Sequence, residues 1–155
     1  MNVHATSVRL AKAASSFGGA PEAAVLLLGD AGSGKSDVAL RLIAMGAELI
    51  ADDRTLLSVQ EGRLIARAPQ TIHGLLEARG VGILRLVPAP PSPVALAVRF
   101  TDDVPRLPEA AFFRAEGLDG APAVPLLLLS AFEASTPAKI AAAAAAAKTL
   151  FSAPG

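Results

Sequence analysis

Apolar and polar positions along the chain follow two different periods, and the places where the period changes mark its elements. Val25 to Leu28 is an unbroken aliphatic run, which predicts a strand buried on both faces. Beyond the next loop, Val38, Ala39, Leu42, Ile43 and Met45 recur at helical spacing. They predict a helix opened by Gly34 or Lys35 and stopped at Gly46. Ala47 to Ala51 reads as a second strand, ending abruptly in Asp52-Asp53-Arg54. TLLSV and RLIARA flank Gln60-Glu61-Gly62 and predict a β-hairpin. TIHGLLEARGVGI predicts a short helix followed by a glycine-broken loop. After a proline-rich connection from Pro88 to Pro93, VALAVRF is another strand, VPLLLLSAF the last, and AKIAAAAAAAKTLF a closing helix. At the front, residues 2–10 form a short strand, and Ser15 to Ala23 reads as a turn or loop. There is no internal repeat, and the seven consecutive alanines are explained by helix propensity alone.

The order strand, loop, helix, strand implies a right-handed parallel βαβ unit. In that topology the loop after Leu28 and the acids after Ala51 share the carboxyl rim of the sheet. Adjacent residues on an extended segment point to opposite sides, so Asp52 and Asp53 have separate roles. One could accept a proton from an attacking hydroxyl, and the other could hold a water or a metal. Asp102-Asp103, with no such neighbourhood, reads as a solvated turn.

Composition narrows the classes. The 155 residues suit one domain spanning 1–155, and 52% hydrophobic against 18% charged residues excludes disorder. Fourteen basic and fourteen acidic side chains give no net charge, which speaks against a general nucleic-acid binder. With no cysteine, a disulfide framework, a zinc-thiolate site and a thiol nucleophile are excluded. MNVHATSVRLAKAASSF lacks the apolar core of a signal peptide. The aliphatic runs fall far short of the roughly 20 residues that span a bilayer. The expectation is a cytoplasmic protein with no membrane partner.

The sharpest chemistry lies in the loop after Leu28. Gly29-Asp30-Ala31-Gly32-Ser33-Gly34-Lys35-Ser36 fits G-x-x-x-x-G-K-[ST] at every fixed position. Its glycines free backbone N–H groups to converge on phosphate oxygens. Lys35 can reach the β- and γ-phosphates, the Ser36 hydroxyl can ligate Mg²⁺, and the helix dipole supports the anion. A preceding strand and a following amphipathic helix are the context this motif requires. The fold class expected is α/β, a P-loop domain with a central mixed β-sheet flanked by helices.

GDAGSGKS followed by ADDR, with Asp52 seventeen residues after Lys35, resembles the phosphate loop and acidic motif of the HPr kinase/phosphorylase family. LLEARGVGI, Leu75 to Ile83, is similar to that family's signature Leu-Glu-x-Arg-Gly-x-Gly-Ile. The compact length resembles the short, mainly alphaproteobacterial form that lacks an N-terminal domain. The resemblance implies an HPr kinase/PEP carboxykinase-like nucleotide-binding fold and an ATP- and Mg²⁺-dependent kinase acting on a serine of HPr. It further implies Asp52 as the base, Lys35 on the transferring phosphate, and Ser36 with Glu77 on Mg²⁺. Asp53 completes the acidic motif, Arg79 reads as a phosphate clamp, and Gly80 and Gly82 shape the turn beyond it. His4 matches a family histidine one strand before the phosphate loop. Arg106, in VPRLPE, resembles an active-site arginine that neutralises transferred charge. His73 has no such match and reads as structural or exposed. Family enzymes are hexamers, so a homo-oligomer is implied.

One departure bears on direction. Long-form relatives carry a basic, glycine-containing loop before the last core strand, tied to removing phosphate from phosphoserine. Here DGAPAVPLLLL brings no positive charge, which predicts weak or absent phosphorylase activity. Two other readings fit the phosphate loop: a non-catalytic nucleotide-sensing module, and a P-loop small-molecule kinase or NTPase. Retention of both Asp52 and Glu77 favours the protein kinase.

Overall fold

The computed structural model describes residues 1–151; the last four residues of the single-domain reading, 152–155, lie outside them. The strands are β1 (Asn2–Val3), β2 (Ala5–Arg9), β3 (Ala24–Leu28), β4 (Glu48–Ala51), β5 (Thr55–Gln60), β6 (Arg63–Arg67), β7 (Leu75–Ala78), β8 (Gly82–Arg85), β9 (Ser92–Phe100), β10 (Phe112–Phe113) and β11 (Val124–Leu129). Two helices accompany them, α1 (Lys35–Ala44) and α2 (Thr136–Ala145). Nine strands form one mixed sheet in the order β1-β5-β6-β9-β3-β2-β4, with β11 and then β10 attached at β9; β7 and β8 pair separately.

β3 fills its role through composition. Val25 and Leu27 enter one core with Val38, Leu42, Leu96, Val98 and Ile140. Ala24, Leu26 and Leu28 enter another with Ile50, Leu57, Leu64 and Ala97. Side chains alternate across a strand, so an all-aliphatic run serves both faces at once. α1 and α2 cover the first face. On the second the sheet curls, so that β6 approaches β4 and β5 approaches β2.

The expected βαβ unit is present with one strand inserted. β2 runs antiparallel to both β3 and β4, so those two are parallel but separated by it. β3, β9 and β11 are parallel neighbours. Four strands therefore deliver their carboxyl ends to one rim. In order they bring Asp52-Asp53 after β4, the phosphate loop after β3, the Arg106 segment after β9 and Ser130–Glu133 after β11. β2, being antiparallel, brings its amino end there, and His4 with it.

Two expectations change. The stretch read as a helix, TIHGLLEARGVGI, is a short 3₁₀ turn (Gln70–Ile72) followed by the β7–β8 hairpin, pairing Leu75 with Arg85 and Ala78 with Gly82. Its burial alternates, Leu76 and Ala78 inward and Glu77 outward, a period of two that three leucine and alanine side chains disguised as helical. Gly80, at φ 87°, lets the chain reverse after Arg79. The supposed loop before Ala23 holds 3₁₀ turns over Ala11–Phe17, anchored by buried Ala13 and Ala14. The hairpin over Glu61-Gly62 is as expected, Gln60 pairing with Arg63. α2 stops at Ala145, short of the alanine run's end.

Candidate active site

The phosphate loop leaves β3 at Gly29 and enters α1 at Lys35. Gly34 caps the helix at φ 100°, and a Cβ there would fall 2.7 Å from the Ala131 side chain. A glycine is required by both the conformation and the space. Lys35 is buried, and its ammonium donates to the Gly29 carbonyl at 2.7 Å and the Asp30 carbonyl at 3.1 Å. The Ser33 hydroxyl is buried and has no partner among the described residues. A folded-back cation, an orphaned hydroxyl and a left-handed glycine at a helix start suit an anion that takes those groups as ligands. The chain's own residues thus fit a nucleotide phosphate.

Asp52 ties the site together. Its Oδ1 accepts from the Ser36 hydroxyl at 2.6 Å and from the Thr6 hydroxyl at 3.0 Å. Its Oδ2 accepts the Glu77 backbone N–H at 3.0 Å. One carboxylate therefore joins the phosphate loop, β2 and the β7–β8 hairpin. Of roughly four acceptor sites on a carboxylate, three are taken and one on Oδ2 stays open. Thr6 acts as a relay, since its oxygen also accepts the Asp53 N–H at 3.0 Å. Ser36 spends its hydrogen on Asp52, which leaves its oxygen lone pairs for a cation.

Asp53 faces elsewhere: its Oδ1 lies 2.6 Å from His4 Nε2, both side chains being exposed. The two acids do take different directions, but strand alternation is not the cause. β4 ends at Ala51, and Asp53 sits at φ 67° in a tight turn closed by Arg54 N–H on the Asp52 carbonyl at 2.7 Å. Asp tolerates that left-handed conformation better than most residues.

These residues surround a cavity of about 600 Å³ lined by Gly32, Lys35, Ser36, Asp52, Asp53, Glu77 and Arg79, with Phe132 at its edge. Glu77 and Arg79 are exposed and point from the hairpin towards it. Gly80 and Gly82 shape that hairpin and do not line the cavity. Arg106, in the segment between β9 and β10, is exposed and outside the cavity lining. His73 is exposed, as expected. Among the described residues no three His, Cys, Asp or Glu side chains converge as a metal cage. A Mg²⁺ held by one or two protein ligands and substrate phosphates does not need one. The sequence reading passed over Thr6, whose signal was a Thr-Ser pair inside a strand, both fully buried.

With that geometry in place, residues 19–88 match the family model described as HPr Serine kinase C-terminal domain. The family resemblance read from the sequence is borne out. The HPr kinase/phosphorylase of Clostridium tetani is 45% identical over 60 residues, 39% of this chain and 20% of that one. That of Pediococcus pentosaceus is 54% identical over 61 residues, again 39% and 20%. The match thus spans about a fifth of the length of these relatives. A solved structure, the Hpr(Ser) kinase/phosphatase from Coxiella burnetii, superposes with a TM-score of 0.68 at 24% identity, covering 91% of each chain. It shares this mixed α/β fold and its curled sheet. The matched segment holds the phosphate loop, both acids and the hairpin; His4, Arg106 and Phe132 lie outside it. No described helix is long and apolar enough to cross a membrane.

Proposed function

We propose that the chain is an ATP- and Mg²⁺-dependent protein kinase that phosphorylates a serine of an HPr-type phosphocarrier protein. The observation that carries this reading is Asp52: one acid bonded to the phosphate-loop serine and to the signature hairpin, with one acceptor site still open. In the reaction the serine oxygen bonds to the γ-phosphorus while the bond to the ADP oxygen breaks. The serine proton passes to the open position on Asp52. Lys35 exchanges its loop carbonyls for the transferring phosphate. Ser36 and Glu77 would hold Mg²⁺, which supplies charge neutralisation on the phosphates. His4 steadies Asp53 beside the base, and Arg79 clamps phosphate from the hairpin. Arg106 is exposed and outside the cavity, so its segment would need to fold inward to reach the phosphoryl group.

The proposed activity is forward transfer with a weak reverse reaction. Dephosphorylation by inorganic phosphate brings a second anion beside phosphoserine, a repulsion of several kcal/mol at intermediate dielectric that cations must offset. Asp119–Pro125 contributes none, but it enters β11 at its amino end, the rim away from the phosphate loop, so the geometry gives no support to the expectation built on its missing charge. The test is to incubate the chain with Mg-ATP and HPr and follow phosphoserine by mass spectrometry, then to supply phosphoserine-HPr with millimolar phosphate and no ATP. Forward transfer with little pyrophosphate is expected. ATP binding without transfer would instead mark a nucleotide-sensing module.

A further inference from the structure

Phe132 is an aromatic side chain left 71% exposed at the edge of the cavity. Isolated exposed apolar residues are ordinary, but two observations set this one apart. First, its backbone is held on both sides. Arg41 donates to the Glu133 carbonyl at 3.0 Å and to the Ala131 carbonyl, while its Nε bonds Asp37 at 3.1 Å. The Phe132 N–H donates to the Ser130 hydroxyl at 3.3 Å, and Thr136 donates its hydroxyl to the Ser130 carbonyl. Glu133 pairs with Lys139 at 2.8 Å, and that hydrogen bond holds its carboxyl below the ordinary value. Such anchoring fixes where the ring stands without burying it.

Second, the ring stands where the phosphate loop has a second end. Its edge lies 3.3 Å from the position a Cβ on Gly34 would occupy. Along the rim, Asp52 lies on one side of β3, beyond β2, while Phe132 follows β11 on the other side, beyond β9. On α1 the contacts divide the same way. Ser36 turns to Asp52, whereas its neighbour Asp37, about 100° around the helix, turns with Arg41 to the Phe132 loop.

From this placement we infer that Phe132 is the stacking platform for the nucleobase of the bound nucleotide. The inference rests on the phosphate-loop reading and adds the ligand's other end. An aromatic face binds any base through its π-surface, so the platform recognises a nucleotide as against a bare polyphosphate, with little preference between ATP and GTP.

Calorimetric titration of the full chain with Mg-ATP, Mg-GTP and Mg-tripolyphosphate tests it, in wild type, Phe132→Ala and Phe132→Tyr. Expected is a loss of about tenfold in ATP and GTP affinity for Phe132→Ala, none for tripolyphosphate, and recovery in Phe132→Tyr. Equal losses for all three ligands would mark Phe132 as a loop support and overturn the inference, as would no loss at all. If neither Mg-ATP nor tripolyphosphate binds the wild-type chain, the phosphate-loop reading falls and the stacking assignment with it.

Discussion

The two halves of the cavity are made differently. The phosphate loop is packed from behind: Lys35 is buried, and Gly34 has no room for a methyl group against Ala131. The β7–β8 hairpin is held at its base, where Leu76 is fully buried, and stands out beyond it, with Val81 75% and Ile83 69% exposed. Among the described residues, nothing lies within 4 Å of a Cβ added at Gly80 or Gly82. Both segments reverse the chain with left-handed glycines, yet only the loop needs them for space as well. On the proposed reading the loop is a rigid phosphate site, whereas the hairpin that carries Glu77 and Arg79 is tied to Asp52, among the described residues, by one hydrogen bond.

The strongest test of this division acts where the halves meet. Asp52→Asn should lower phosphoryl transfer by ~10²–10⁴-fold while ATP still binds, because the amide cannot take the serine proton. A variant retaining a tenth of the wild-type rate would remove Asp52 from the base role. Asp53→Asn in parallel asks whether the acid paired with His4 carries the proton instead. On the loop side, Lys35→Ala should cost about 10–100-fold in calorimetric ATP affinity, the worth of a hydrogen bond to a charged group, with an unchanged circular dichroism spectrum. The glycines come next. Gly34→Ala should lower unfolding stability by about 1–3 kcal/mol and weaken ATP, whereas Gly80→Ala, strained but unobstructed, should cost about 1 kcal/mol and leave ATP binding alone. Equal losses of ATP affinity in the two would erase the distinction. Smallest of all, Glu77→Gln should raise the Mg²⁺ concentration needed for half-maximal rate several-fold, and excess metal should restore most of the activity.

The same contrast explains what could be read from the sequence. The phosphate loop announced itself because its residues are fixed by local geometry: a strand, glycines, then a helix, all within Val25–Ala44. The hairpin did not, since Leu75, Leu76 and Ala78 satisfy a helical and an alternating pattern equally over so short a stretch, and only pairing with Gly82–Arg85 decides. The placement of β2 between β3 and β4 was also out of reach, because a strand's neighbours depend on distant segments. Yet the inference drawn from the simpler βαβ unit, that Asp52 and the phosphate loop share a rim, survives the insertion. An antiparallel strand between two parallel ones leaves their direction unchanged. The Thr6-Ser7 pair marked an unusual strand, but its link to Asp52 follows from that insertion.

The order of segments along the rim has a kinetic consequence. On the proposed assignments the nucleotide lies towards β11 and the acceptor serine towards β4, with the phosphate loop between. Neither reactant then crosses the other's entrance. Binding would be random in order, and ADP could depart while the phosphorylated protein is still docked. Initial-velocity plots against ATP at several fixed HPr concentrations should intersect, and ADP should inhibit competitively with ATP. Phosphoserine-HPr should inhibit competitively with HPr, which a compulsory order with ADP leaving last forbids. A compulsory order, with ADP trapped until the protein leaves, would mean that the two ends of this rim are closed by a single gate.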